Sequence, residues 1–235
     1  MIQPKYKQYD RALIEHFRIT PTTNISDALT RLDLQAVRMW GILPLVRFAE
    51  GAPHVAGPAV TVRFLPCFYK AMYQESEYRY TEIVEAAPPG SVVVVEGGDL
   101  MPVQGELNGM TAVRSGHAGS VGDGPVRDAD ALRKLNLPIF HKKSPVGEMM
   151  SSYAGALYCA SAHIPIQCGG ALVRPGDLIV GDNHGVVVIP EQFVEKMRDF
   201  TKEIAQLEDD MRQKVRSGMA WKEIYRGEHR KKYFA

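Results

Sequence analysis

The densest grouping of residues suited to chemistry runs from Gly105-Glu106-Leu107-Asn108 to Gly122-Asp123-Gly124-Pro125-Val126-Arg127-Asp128. Gly105 is placed to open a helix, and a helix start leaves the amides of Leu107 and Asn108 without intrahelical partners at the positive end of the dipole. Two such amides hold a carboxylate without drawing on net charge. Arg127 adds a planar, permanently charged fork suited to a carboxylate or to a developing enolate oxygen. Asp128, next in the chain, offers the hard oxygen that Mg²⁺ or Mn²⁺ prefers, and such ions often keep several waters and use only one or two protein carboxylates. Glu106 is placed to hold or polarise one of those waters, which are far more acidic than bulk water. Each residue also has a plainer reading, since Glu106 and Asp128 both stand at helix starts, where an acid complements the dipole.

The elements that must position this segment alternate along the chain. Ala59 to Leu65 and Ser91 to Val95 are rich in β-branched residues and follow Gly-Pro and Pro-Pro-Gly punctuation, so both read as buried strands. The second leads into Glu96-Gly97-Gly98-Asp99, whose glycines allow close backbone approach at the rim of a site. Gly105 to Ser115 reads as a helix, weakened by roughly 1 kcal/mol at Gly109. A strand over Ala118 to Val121 and a helix over Asp128 to Asn136 follow, then a strand over Leu137 to Phe140. Strand, helix, strand alternation implies a βαβ layer, with functional groups gathered at the carboxyl ends of the strands.

Outside that layer, Ser26 and Asp27 read as the cap of a first core helix through ALTRLDLQAVRMW. Val173 to Pro190 reads as a hairpin whose Asp182 and His184 serve the turn rather than a metal. From Glu191 to Ser217 a seam of Met197, Phe200, Ile204, Leu207, Met211 and Val215 predicts a helix long enough to overrun a small domain and reach a neighbouring subunit.

Composition excludes several classes. With 45% hydrophobic residues among 235, the chain can bury a substantial core and reads as one domain, 1–235. Its 28 basic and 27 acidic residues give a net charge of +1, so no global field favours nucleic acid or a membrane surface. No apolar run approaches a membrane span, the first residues lack a secretory leader, and a cytoplasmic location is expected. Cys67, Cys159 and Cys168 are odd in number and without C-x-x-C spacing, so three reduced thiols are expected, with Cys168 a small apolar residue beside a turn. His117 reads as a packed or solvated loop residue rather than a base.

Twenty residues separate Glu106 from the pair Arg127-Asp128. That spacing resembles the RraA-like family, which includes 4-hydroxy-4-methyl-2-oxoglutarate aldolases and regulators of ribonuclease E activity. TTNISDAL, GPAVTV, VRPGDLIVGDNHGVVVIP and the closing helix with Gly218 and KEIY extend the likeness from about Thr22 to Tyr225. The resemblance implies an α/β fold, an α/β/β/α sandwich, assembled as a homotrimer or homohexamer with sites between subunits. It implies a divalent cation, Mg²⁺ or Mn²⁺, on Asp128. Arg127 and the amides of Leu107 and Asn108, after Gly105, would bind the pyruvoyl group of an α-keto acid. Glu106 would organise water, and a neighbour's Glu208 or Glu203 would complete the site. The implied activity is cleavage of 4-hydroxy-4-methyl-2-oxoglutarate or a related 4-hydroxy-2-oxoacid to pyruvate, with oxaloacetate decarboxylation as a side reaction. The alternative is a non-enzymatic, protein-binding regulator of a ribonuclease; the Glu106, Asp123, Arg127 and Asp128 constellation favours the enzyme, since an inhibitor needs none of it.

Overall fold

The computed structural model describes residues 7–52, 54–67, 71, 76–98, 104–143 and 157–225. Its strands are β1 (Arg38–Met39), β2 (Ile42–Pro44), β3 (Val55–Pro66), β4 (Val92–Glu96), β5 (Gly119–Gly122), β6 (Ile139–Lys142), β7 (Leu157–Ala162), β8 (Ile166–Cys168), β9 (Ala171–Val173), β10 (Leu178–Asp182) and β11 (Gly185–Ile189). Its helices are α1 (Arg11–Ile19), α2 (Thr22–Arg31), α3 (Tyr80–Ala86), α4 (Glu106–Arg114), α5 (Ala129–Leu132), α6 (Val194–Arg216) and α7 (Trp221–Tyr225).

The long strand β3 organises the sheet. Its first residues pair antiparallel with β10, and its middle pairs parallel with β4, so the hydrogen-bonded order is β1-β11-β10-β3-β4-β5-β6-β2. The strands β3 to β6 are mutually parallel, as the alternating pattern implied. Side-chain alternation then divides the core into three. Val93 and Val95 of β4 face α3, α4 and α5, together with Val60, Val62, Ile83, Ala112 and Leu132. Val92 and Val94 face inward, against Val121, Phe140, Ile179, Val186 and Val188. On the far side, Leu178, Val180, Val187 and Ile189 meet Phe17, Ile25, Leu29, Met197 and Ile204 of α1, α2 and α6. Helices, sheet, sheet, helices is the four-layer α/β/β/α order expected, and the long C-terminal helix is present.

Three local readings need correction. The first core helix starts at Thr22 rather than after Asp27, and it ends at Arg31. Its cap comes from Asp182, whose carboxylate accepts from the Thr22 amide at 2.9 Å and the Thr22 hydroxyl at 2.8 Å, across 160 residues of sequence. Beyond it, Asp33 and Ala36 adopt positive φ, and the chain turns into β1 instead of continuing as helix. Second, α1 was not anticipated, although Asp10 caps it by accepting from Ala12 N at 2.6 Å and Leu13 and Phe17 bury one face. Third, the helix after Arg127 has only four residues.

The C-terminal helix spans 23 residues, or roughly 35 Å at 1.5 Å per residue. Met197 and Ile204 are fully buried, whereas Val215 is 51% exposed, so the seam outlasts the core that covers its first half. The tyrosine-rich stretch 68–85 lies partly outside the described residues. Within them, Tyr78 and Tyr80 pack against the outer core.

Candidate active site at the carboxyl ends of the parallel strands

β4 and β5 deliver their last residues to one edge of the sheet, and the segment that follows each is tied to the other. Asp123 accepts at Oδ1 from the amides of Gly97 (2.8 Å) and Gly98 (3.0 Å), fixing the exit of β4 to the loop after β5. Burial pushes the Asp123 carboxyl above its ordinary range, and the two amide hydrogen bonds partly oppose that. Gln104 and Val126 form a parallel bridge, and Arg127 N donates to Gln104 O at 2.9 Å. The Gln104 side chain is buried and accepts from Tyr80 Oη at 2.8 Å and, at 3.4 Å, from Ser120 Oγ. Sequence reasoning missed Gln104, because its partners lie on α3, on β5 and in the segment before α5.

These ties bring the segments around 106 and 127 together. Asp128 Oδ2 accepts from Glu106 N at 3.3 Å and from Arg127 Nε at 3.1 Å. Its Oδ1 makes no hydrogen bond among the described residues. Asp128 has φ 57° and ψ 37°, the left-handed region that a non-glycine residue enters at a cost of about 1 kcal/mol or more. That conformation turns the chain into α5 and holds the carboxylate against the start of α4. Gly105 makes the approach possible: a Cβ there would lie 3.1 Å from Arg127 Cγ and 3.2 Å from Asp128 Oδ2. Gly109 has a similar origin, since a Cβ would sit 2.7 Å from Leu135 and 2.8 Å from Leu132.

The helix start expected at Gly105 is in place. Gly109 N is the first amide of α4 bonded within the helix, to Gly105 O at 3.0 Å. Leu107 N and Asn108 N therefore point out of the first turn without a hydrogen bond among the described residues. Asn108 Oδ1 accepts from Thr81 Oγ1 at 3.2 Å. The side chains of Arg127 and Asp128 are 42% and 38% exposed, so neither is buried in packed interior. Arg63 of β3 donates through Nε to Oε2 of Glu96, the last residue of β4, at 2.7 Å. Asp99 lies outside the described residues.

Among the described residues no group of three His, Cys, Asp or Glu is placed to chelate a metal. The donor set is instead one carboxylate, Asp128, with Glu106 next to it. One carboxylate with a free oxygen at a half-exposed position fits a hydrated hard cation, which keeps most of its waters.

Other candidates lie elsewhere. Glu208 and Glu203 are on α6, in the opposite helix layer, where Glu208 accepts from Asn24 Nδ2 at 3.2 Å and Glu203 pairs with Arg31 at 3.3 Å. Within one chain they do not meet Arg127. Asp182 and His184 serve the β10–β11 turn and the α2 cap, and His184 N donates to Asp182 Oδ1 at 2.7 Å. Burial, the largest single influence, raises the Asp182 pKa, but the hydrogen bonds from Thr22 and His184 outweigh it and hold it low. Cys168 is fully buried and its thiol is pushed up by that burial, which makes it a poor nucleophile. His117 is packed rather than solvated, with both ring nitrogens shut off from solvent.

The family model described as RraA-like, Aldolase/RraA, matches residues 22–188. The chain belongs to the RraA-like family. Among its relatives, a protein of Halalkalibacterium halodurans named "Putative 4-hydroxy-4-methyl-2-oxoglutarate aldolase" is 33% identical, covering 86% of this chain and 87% of its own. An uncharacterised Pseudomonas syringae protein superposes with a TM-score of 0.78 at 24% identity, over 95% of this chain and 98% of that one, which shows the fold alone. Streptomyces coelicolor RraAS2, described as an unusual member of the RNase ES inhibitor RraA protein family, superposes with a TM-score of 0.73 at 27% identity, over 88% of this chain and 98% of that one. The RraA-like match contains Glu106, Arg127 and Asp128. No described helix of this RraA-like chain is long and apolar enough to cross a membrane.

Proposed function

We propose that the chain is a divalent-metal-dependent carbon–carbon lyase that cleaves 4-hydroxy-4-methyl-2-oxoglutarate or a related 4-hydroxy-2-oxoacid to pyruvate, with oxaloacetate decarboxylation as a side activity. The observation that carries this reading is the meeting of the α4 start with Arg127 and Asp128, in which one carboxylate touches both the Glu106 amide and the guanidinium. Names among the relatives point the same way.

Asp128 would hold Mg²⁺ or Mn²⁺ through its free oxygen, with Glu106 beside it. A divalent cation there would supply Lewis-acid stabilisation of the negative charge that appears on the keto oxygen. Arg127 and the amides of Leu107 and Asn108 bind the α-carboxylate and orient the keto group, so the bond to be broken is presented to the site. In the retro-aldol direction a base removes the proton of the 4-hydroxyl group, the C3–C4 bond breaks, and its electron pair passes into the pyruvate enolate. Arg127 stabilises that enolate, and a proton returned to C3 gives pyruvate. Glu106, at the same helix start, orients the water that carries these protons. Decarboxylation of oxaloacetate places the same electron pair in the same enolate, with carbon dioxide leaving instead of a ketone. The sites lie between subunits of a homotrimer or homohexamer in this reading, with Glu208 or Glu203 of a neighbour as the completing acid.

The test is release of pyruvate by metal-stripped protein from 4-hydroxy-2-oxoacids and oxaloacetate, with Mg²⁺ or Mn²⁺ restored. Turnover that requires the metal and falls by about 10²- to 10³-fold in Arg127→Ala is expected. Near-normal turnover in Arg127→Ala or Asp128→Ala refutes the assigned site. Absence of turnover on every 4-hydroxy-2-oxoacid and on oxaloacetate, by folded metal-loaded protein, returns the chain to the regulator reading.

A further inference from the structure

A cavity of about 710 Å³ opens at the other end of the parallel strands. Pro89 and Gly90, Ala118, and Pro138 line it, and these residues come just before β4, β5 and β6. Glu96 ends β4, and Asp123 and Arg127 come after β5, at the carboxyl ends of these strands. Strands of four and five residues at about 3.3 Å each put on the order of 15 Å between the two places. Ligands of parallel sheets gather at carboxyl ends, so a cavity at the amino ends is separate from the proposed catalytic centre.

Its chemistry is one-sided. Arg11, Ile14 and Arg18 fall on one face of α1 and line one wall. Phe48, Pro89 and Pro138 supply apolar surface, and no Asp or Glu contributes among the described lining residues. Arg11 forms no ion pair among the described residues. Arg18 has a surface pair with Glu15 at 2.9 Å within its own helix, an interaction easily exchanged for a better anion. His54 also lines the cavity, and its Nδ1 meets the Thr20 carbonyl at 3.0 Å, an orientation that leaves Nε2 as the other polar atom of the ring. The volume lies within the range of small-molecule sites, roughly 300 to 1,000 Å³, where apolar walls and a few polar groups fix the ligand.

We propose that this cavity is a second ligand site, taking a small organic acid whose anionic head meets Arg11 and Arg18 and whose apolar body lies against Phe48, Pro89 and Pro138. Two guanidinium groups select an anion, and the apolar wall selects against inorganic phosphate or a bare dicarboxylate.

Fluorine NMR with 4-(trifluoromethyl)benzoate tests this on the full chain. Saturable binding in the millimolar range or tighter is expected, at least tenfold stronger than that of the neutral 4-(trifluoromethyl)benzamide. Binding should weaken at least tenfold in Arg11→Gln/Arg18→Gln and stay unchanged in Arg127→Ala. The two substituted side chains lie off the buried Leu13 and Phe17 face, and each single variant provides the same readout if the pair fails to fold. Equal binding of the amide, no effect of either arginine, or loss of binding in Arg127→Ala overturns the proposal. Because the readout is binding and not turnover, it is independent of whether the chain is an aldolase.

Discussion

Replacing Gly105 by Ala separates positioning from stability. The Gly105 backbone is extended (φ −136°, ψ 174°), a conformation open to any residue, so Ala adds no backbone strain. Gly105 has no side-chain cap to lose. Ala at the cap position of a helix is somewhat poorer than Gly, while the unfolded chain loses about 0.4–1 kcal/mol of conformational freedom. The two effects nearly offset, so the melting temperature should move by no more than about 2–4 °C. The new Cβ, however, lies 3.1 Å from Arg127 Cγ, 3.2 Å from Asp128 Oδ2 and 3.3 Å from Arg127 Cδ. Those atoms must retreat by a few tenths of an ångström. A 1 Å misplacement of catalytic groups can cost on the order of 10²-fold, so about a third to a half of that displacement predicts a loss of roughly four- to tenfold in kcat. Metal-dependent pyruvate release, followed with a coupled dehydrogenase beside a thermal melt, reads both quantities. Unchanged kcat in a folded Gly105→Ala protein refutes the argument that Arg127 and Asp128 must be held where they are, and so does a loss that merely tracks unfolding.

Other consequences concern the scaffold. Gly57→Ala would place a Cβ 2.2 Å from the backbone carbonyl of Gly90, an overlap that only backbone movement relieves. A cost of about 3 kcal/mol, at the upper end of overpacking, lowers the melting temperature by roughly 6–12 °C. His16, His117 and His163 are all held below the ordinary histidine value of 6.5, chiefly by burial. The unfolded chain therefore binds protons that the folded one refuses, so stability is full above 6.5 and falls as pH drops below it, and His117→Leu should flatten that slope in urea titrations. Asp123 behaves oppositely: its folded pKa is raised above 3.8, so folded protein gives up stability as pH rises through that window. Asp123→Asn keeps an acceptor for Gly97 and Gly98 and should be neutral or stabilising near neutral pH, whereas Asp123→Ala should cost about 1–3 kcal/mol by leaving amides unpaired.

What the sequence disclosed follows from the range of each interaction. The valines of β4 are buried on both faces, and a run of β-branched residues announces that without outside help. The meeting of Glu106 with Asp128 was legible because two signals, a glycine-led helix start and an Arg-Asp pair, each carried a local mechanism. The start of α2 was not, since its cap is a carboxylate 160 residues away, and nothing near Thr22 signals it. The left-handed conformation of Asp128 is one that residue type permits but does not demand, and the end of α5 at Leu132, where Lys134 N and Leu135 N turn back to Ala131 O and Leu132 O, has no breaker in the sequence before Pro138. Gln104 reads as an ordinary polar residue until Tyr80 and Ser120 close around it.

Mn²⁺ binding measured by water-proton relaxation, with and without oxalate as a planar mimic of the pyruvate enolate, tests most directly whether Asp128 and Arg127 grip an ion and a keto acid together. Wild-type protein should bind Mn²⁺ more tightly when oxalate is present. Asp128→Asn, which keeps the side-chain shape and tolerates positive φ, should lose the ion, and Arg127→Ala should keep the ion but lose the oxalate enhancement. Mn²⁺ affinity unchanged in Asp128→Asn, or oxalate enhancement unchanged in Arg127→Ala, contradicts the account.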